Sequence, residues 1–129
     1  MLKKTLAIIG FATAVFPAHA HAQAVGKRLP GYECMMLNIT EQQAMDPNFH
    51  VGVRAQPSAS SPTIGWQPGI VIVKEPAIPT NGFLQILRAN GQEAWIEASI
   101  VKPYHPLSDP AAKCAPEILP SGLIGSGPG

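Results

Sequence analysis

A small, exported all-β domain is the fold class this sequence predicts, and three observations predict it. Fourteen prolines and twelve glycines among 129 residues leave little room for long helices and favour short strands joined by tight turns. Across residues 51–104, short apolar segments alternate with polar positions and are punctuated by Gly, Pro, Asn and Ser. Two cysteines, Cys34 and Cys114, stand on either side of that patterned stretch.

The chain opens MLKKTLAIIGFATAVFPAHAHA, in which Lys3 and Lys4 precede an apolar run over residues 6–16. Ala18-His19-Ala20 and Ala20-His21-Ala22 follow as two small-x-small cleavage sites, so residues 1–22 read as a secretory signal peptide. An uncleaved anchor would need roughly 20 apolar residues to cross a bilayer, and the run is shorter. No cysteine stands just after either site to be acylated. The expected product begins at His21 or Gln23 and has no stable membrane insertion. Its localisation is expected to be periplasmic or secreted.

Losing Lys3 and Lys4 from the nine Lys and Arg leaves seven cations against eight Asp and Glu. That near-neutral balance gives no ground for a nucleic-acid or anionic-membrane surface. The roughly 107 residues that remain suffice for one small domain and not for two. In an oxidising compartment the simplest reading of Cys34 and Cys114 is a disulfide. Enclosing a loop of roughly 80 residues, it would contribute roughly 4 kcal/mol in the chain-entropy model. A redox or nucleophilic thiol would want a Cys-x-x-Cys pair or a histidine partner, and neither is close by.

The elements follow in order. Residues 23–45, QAVGKRLPGYECMMLNITEQQAM, show no clear period and read as an ordered N-terminal arm, with Tyr32, Met35, Met36 and Leu37 round Cys34 packing on the domain. Asn38-Ile39-Thr40 fits a glycosylation sequon, a pattern common by chance, and carries no weight. Residues 46–104 form the domain proper. Val51 and Val53 alternate in a first strand, and PSASSPTIG supplies a loop that closes on Gly65-Trp66. Gln67-Pro68-Gly69 is a turn signal, and IVIVKEP reads as a buried strand ended by Pro76.

After the loop AIPTNG, FLQIL alternates, with Phe83, Gln85 and Leu87 facing one way and Leu84, Ile86 and Arg88 the other. Asn90-Gly91 supplies the positive φ angles of a tight hairpin turn, and Glu93-Ala94-Trp95-Ile96 returns antiparallel. Ala98-Ser99-Ile100 suits a single 3₁₀ turn, and Val101-Lys102-Pro103-Tyr104 a closing strand whose Pro103 prefers a sheet edge. Residues 105–129 are an extension anchored by Cys114, and its Gly/Pro-rich end, SGLIGSGPG, is expected to be a flexible tail.

Residues 51–104 resemble the bacterial SH3-like domain. The resemblance rests on Val53, Arg54, Pro57, Ser58, Ser61, Ile64 and Gly65 in a "V-R-x-x-P-S-x-x-S-x-x-I-G" opening. It continues through Gly69, Ile72 and Val73, and through Asn90, Gly91, Ala94, Trp95, Ile96 and Val101 near the close. It implies a small five-stranded SH3-like barrel, here with disulfide-tied N- and C-terminal extensions. Such domains are commonly targeting modules of exported bacterial proteins, some recognising peptidoglycan peptides beside a cell-wall hydrolase. This chain has no Cys…His…His set and no zinc-type His-x-x-x-Asp or His-x-His motif after the leader. The acidic and aromatic clusters with which eukaryotic SH3 domains grip polyproline are also absent.

Trp95 reads as core, because large aromatics dominate small cores. Trp66, at a loop-to-strand junction, is the candidate for a binding surface, with Tyr104 lining the same groove and Pro57, Ser58 and Ser61 of the serine-proline loop forming its rim. His50 and His105 have no carboxylate or thiolate at a defined spacing and make a poor metal site. Asp46, Asp109, Glu93 and Glu97 read as solvated carboxylates. The expectation is therefore a non-enzymatic binding module, with no catalytic residues, no metal and no cofactor. Its partner would be a peptide, a cell-wall fragment or an envelope protein, with an accessory or inhibitor subunit as the alternative.

Overall fold

A computed structural model describes Gly10 and residues 26–128. The expected leader, Gly10 apart, and both cleavage sites lie outside the described residues. Among the described residues no helix is long and apolar enough to cross a membrane.

Two antiparallel sheets carry the fold. The larger has seven strands in the order β4-β3-β7-β6-β5-β2-β8. These are β2 (Tyr32–Leu37), β3 (Gly52–Arg54), β4 (Thr63–Trp66), β5 (Ile70–Lys74), β6 (Phe83–Leu87), β7 (Glu93–Glu97) and β8 (Val101–Pro103). The smaller joins β1 (Lys27–Arg28), β9 (Ala115–Ile118) and β10 (Ile124–Gly127), with β9 in the centre. A short helix α1 (Glu41–Met45) and a 3₁₀ turn at Ala98–Ile100 complete the elements among the described residues.

Period-two alternation builds the core. Val51 and Val53, Val71 and Val73, Leu84 and Ile86, and Ala94 and Ile96 face inward with Leu37 and form one buried cluster. Ile72 points to the other face yet is also buried, which is why IVIVK reads as apolar throughout. Its cross-strand partners there are Cys34 and Leu87. The disulfide from Cys34 to Cys114, with Cα atoms 6.0 Å apart, ties the small sheet to that outer face. Ile124 N–H adds a hydrogen bond of 2.8 Å to the Ala89 carbonyl. The Cys34–Cys114 disulfide suits an oxidising, extracytoplasmic environment.

The structure corrects the expected five-stranded barrel. Among the described residues there are ten strands in two sheets, and the larger sheet is open, with β4 and β8 as its edges. The linker between β4 and β5 explains the opening. Gln67 N–H is taken by the Val51 carbonyl and the Gly69 carbonyl by Leu37 N–H, so β4 stays with β3 while β5 pairs with β2. No ladder then joins β4 to β5.

The N-terminal arm is a second difference, since its β2 lies inside the large sheet between β5 and β8. Met35 and Leu37 face the core and Cys34 the outer sheet, but all three are apolar, which hides the alternation in YECMML. The start of α1 is marked in the sequence by Thr40 and Gln43, three residues apart. Thr40 and Gln43 form a capping box, each side chain accepting from the other's backbone N–H, at 3.1 Å and 2.9 Å.

The expected flexible tail contains β10, which pairs along β9. Leu119-Pro120-Ser121-Gly122 turns the chain, with Gly122 N–H bonded to the Leu119 carbonyl and Gly122 at φ +83°. Proline and glycine there make a defined hairpin.

The two Asn-Gly pairs exchange roles relative to expectation. Asn81 (φ +50°) and Gly82 (φ +82°) both take positive φ, between Thr80 and Phe83, which exchange both backbone hydrogen bonds. That is the two-residue primed turn. At the second pair only Gly91 has positive φ, and Arg88 N–H bonds the Gln92 carbonyl across a three-residue loop. The 3₁₀ turn and the edge position of Pro103 stand where the sequence puts them.

Candidate functional site

His50 and Gly52 are two apart on the extended approach to β3, so their side-chain positions share a face. Gly52 pairs with Trp66 across the β3–β4 ladder. The indole crosses the glycine, where an added Cβ would come within 3.5 Å of its Cζ3, and stacks on the His50 ring. The centroids are 5.0 Å apart and the planes differ by 25°. Trp66 remains 58% exposed, which for a residue so large marks an unusual surface.

Trp66, Gln67 and Pro68 form a ridge between two clefts. One, about 490 Å³, opens towards α1 and is walled by Ile39, Ala44 and Phe49. The other, about 350 Å³, lies towards the small sheet, with Ile70, Ile72, Leu87 and Ile124 as its apolar lining and Arg88 as its one charged residue. Arg88 Nη1 donates to the Ile64 carbonyl, at 3.4 Å, and to Gln92 Oε1. The guanidinium lies over Gly65, where any side chain would collide with it. Gln67 Nε2 donates to the Ile70 carbonyl at 2.7 Å and fixes the ridge.

The structure does not gather the other expected residues round Trp66. Tyr104 is half-buried and follows β8, the opposite edge of the sheet from β4, and it lines neither cleft. Pro57, Ser58 and Ser61 sit at the other end of the β3–β4 hairpin, since Arg54 pairs with Thr63 and Gly52 with Trp66. Their polar groups are used within the loop and by the neighbouring Arg54 and Asn81. Ser61 is buried, its Oγ accepting from Gln56 N–H at 2.9 Å, and its carbonyl accepts from Arg54 Nη1 at 3.0 Å. Ser58 Oγ and Ser60 Oγ are 2.9 Å apart, and the Pro57 carbonyl accepts from Asn81.

Trp95 also departs from expectation. It lies between the buried Ala94 and Ile96, so it faces outward, half-buried in a shallow depression with Lys74, Ile78 and Gln85. His50, Phe49 and Arg88 are the site residues that sequence reasoning does not assign to a surface. The spacing of His50 from Gly52 and the position of Arg88 one residue past an apolar strand are the signals available, and both need the strand pairing to be read.

Among the described residues no group of three or more His, Cys, Asp or Glu is placed to hold a metal ion. No family model matches the chain, and no curated protein or solved structure is significantly similar to it.

Proposed function

We propose that this protein is an exported, non-enzymatic SH3-like binding module that recognises a peptide, cell-wall fragment or envelope protein in the periplasm or outside the cell. The observation that carries this reading is the Trp66 ridge. A large aromatic stacked on His50 and crossing Gly52, and flanked by apolar clefts on both sides, provides the type of anchor that dominates binding energies. The signal-peptide pattern and the disulfide support the export half of the proposal.

The test is retention of the protein lacking residues 1–22 on purified peptidoglycan and on envelope extracts, compared with Trp66→Ala. Retention by the parent and loss in the variant is the expected result. Equal behaviour of the two, with both folded, removes the Trp66 face from the proposal.

The alternative, an accessory or inhibitor subunit, would use the same face. Docking by strand addition has less support, because β8 ends in Pro103, which lacks an N–H, and the outer side of β4 receives Arg88. A single protein co-purifying with the parent and not with Trp66→Ala distinguishes this reading from cell-wall binding.

A further inference from the structure

We propose that the smaller cleft beside Trp66 binds the free carboxyl terminus of an apolar peptide, with Arg88 as the carboxylate receptor. This rests on the reading of Trp66 as the binding face and adds the chemical class of the ligand.

The argument begins with the hydrogen bonds of one guanidinium. Arginine has five N–H donors in a rigid fork. Two acceptors, the Ile64 carbonyl and Gln92 Oε1, engage Nη1. The Nε and Nη2 groups have no hydrogen-bond partner among the described residues, and no carboxylate there forms an ion pair with Arg88. Nη1 therefore fixes the side chain and Nη2 packs over Gly65, while the N–H groups of Nε and Nη2 are left without an acceptor among the described residues. A fork of this kind grips a carboxylate through two parallel hydrogen bonds.

The surroundings favour that use. The cleft is lined by Trp66, Gln67, Pro68, the four aliphatic residues and the hairpin at Ala89-Asn90, and contains no acidic side chain. Arg88 is half-buried, so its charge is less screened than that of a surface lysine. Gly65 leaves the space the guanidinium occupies, and the Gln92 side chain accepts from its Nη1. The fitting occupant carries a negative group at one end, an apolar side chain for Ile70, Ile72 and Leu87, and a flat amide to lie along the indole. A peptide ending in a free aliphatic residue has all three. The volume, about 350 Å³, suits a chain end rather than a long segment.

The experiment titrates the protein lacking residues 1–22, in a Trp95→Phe background so that fluorescence reports Trp66, with acetyl-Leu-Ala-Leu as the free acid and as its C-terminal amide. The free acid is expected to saturate the signal and to bind about ten-fold or more tightly than the amide, as loss of a charge-assisted hydrogen-bond pair implies. Arg88→Gln is expected to bring the acid down to the level of the amide, with Arg88→Lys in between. Because the acid and amide are compared on the same protein, the carboxylate preference is read even if Arg88→Gln folds poorly, and Arg88→Lys then tests the guanidinium, with unchanged acid preference in it overturning the assignment to Arg88.

Equal binding of acid and amide, abolished by Trp66→Ala, overturns the carboxylate assignment while leaving the Trp66 face as the binding surface. Binding of neither peptide also overturns it, and retention on peptidoglycan then decides the wider reading separately.

Discussion

The Trp66 indole and the His50 imidazole stack at 5.0 Å on the outside of the β3–β4 hairpin, with Gly52 beneath the indole. The pair is exposed, so it contributes more to the shape of the surface than to the stability of the fold. His50→Ala is expected to cost under about 1 kcal/mol, as exposed aromatic pairs do. It should nevertheless change the fluorescence of Trp66, measured with Trp95 replaced by Phe, because the indole loses the ring that orients it. An unchanged spectrum and unchanged ligand affinity would show that the stack has no positioning role.

The two faces of β7 predict opposite outcomes for neighbouring residues. Ile96 is wholly buried in the main cluster, whereas Trp95 is half-exposed on the other face. Ile96→Ala should lose about 2–5 kcal/mol through lost burial and the cavity left behind. Trp95→Ala removes a larger side chain but should cost less than Ile96→Ala. Urea unfolding of both variants checks the order, and the reverse order would contradict the inward assignment of Ile96.

At the turns, Asn81→Ala is expected to cost about 1–2 kcal/mol, because alanine pays a steric penalty at φ +50° that asparagine escapes. Asn90→Ala loses only the 3.0 Å hydrogen bond from Gln92 N–H to its side chain, an exposed interaction worth about 1 kcal/mol or less. Thermal melts of the two variants should therefore separate, with Asn81→Ala the lower. Equal melts would mean that the primed turn is not at Asn81-Gly82.

Alternation at Val71, Val73, Leu84, Ile86, Ala94 and Ile96 specifies the inward face, and glycine and proline mark the breaks, so the all-β class and most of the strands between residues 51 and 104 are readable. Asn-Gly marks a turn without stating its length, which depends on how the flanking strands register. YECMML conceals its alternation because its inward methionine and its outward cysteine are equally apolar. Long-range pairing is harder still. That β2 would enter between β5 and β8, and that Trp66 would lie far from Tyr104 and from the serine-proline loop, follows from hydrogen bonds between segments that carry no local signal of one another. Arg88 is ordinary in sequence, and acquires a role only when β4 and the small sheet arrive beside it.

The disulfide offers the strongest separation between local and global effects. Cys34 lies opposite Ile72 on the outer face, and Cys114 immediately precedes β9, the central strand of the small sheet. That sheet has little else to fold around, since β1 spans two residues and the main cluster of buried side chains contains no residue of the small sheet. Replacing both cysteines with serine should therefore lower overall stability by about 2–5 kcal/mol, the usual range for a native bridge in a small domain. It should also loosen β9 and β10 well before the large sheet melts, because Ile72 and Leu87 would lose the cover the bridge holds in place. Amide exchange provides the check: protection at Ile118 and Ile124 should fall much further than protection at Ile86 and Ile96, whose hydrogen bonds belong to the β6–β7 ladder and its neighbours. Loss of protection to the same extent in both sheets would mean that they unfold as a single unit, with the small sheet supported by more than the bridge.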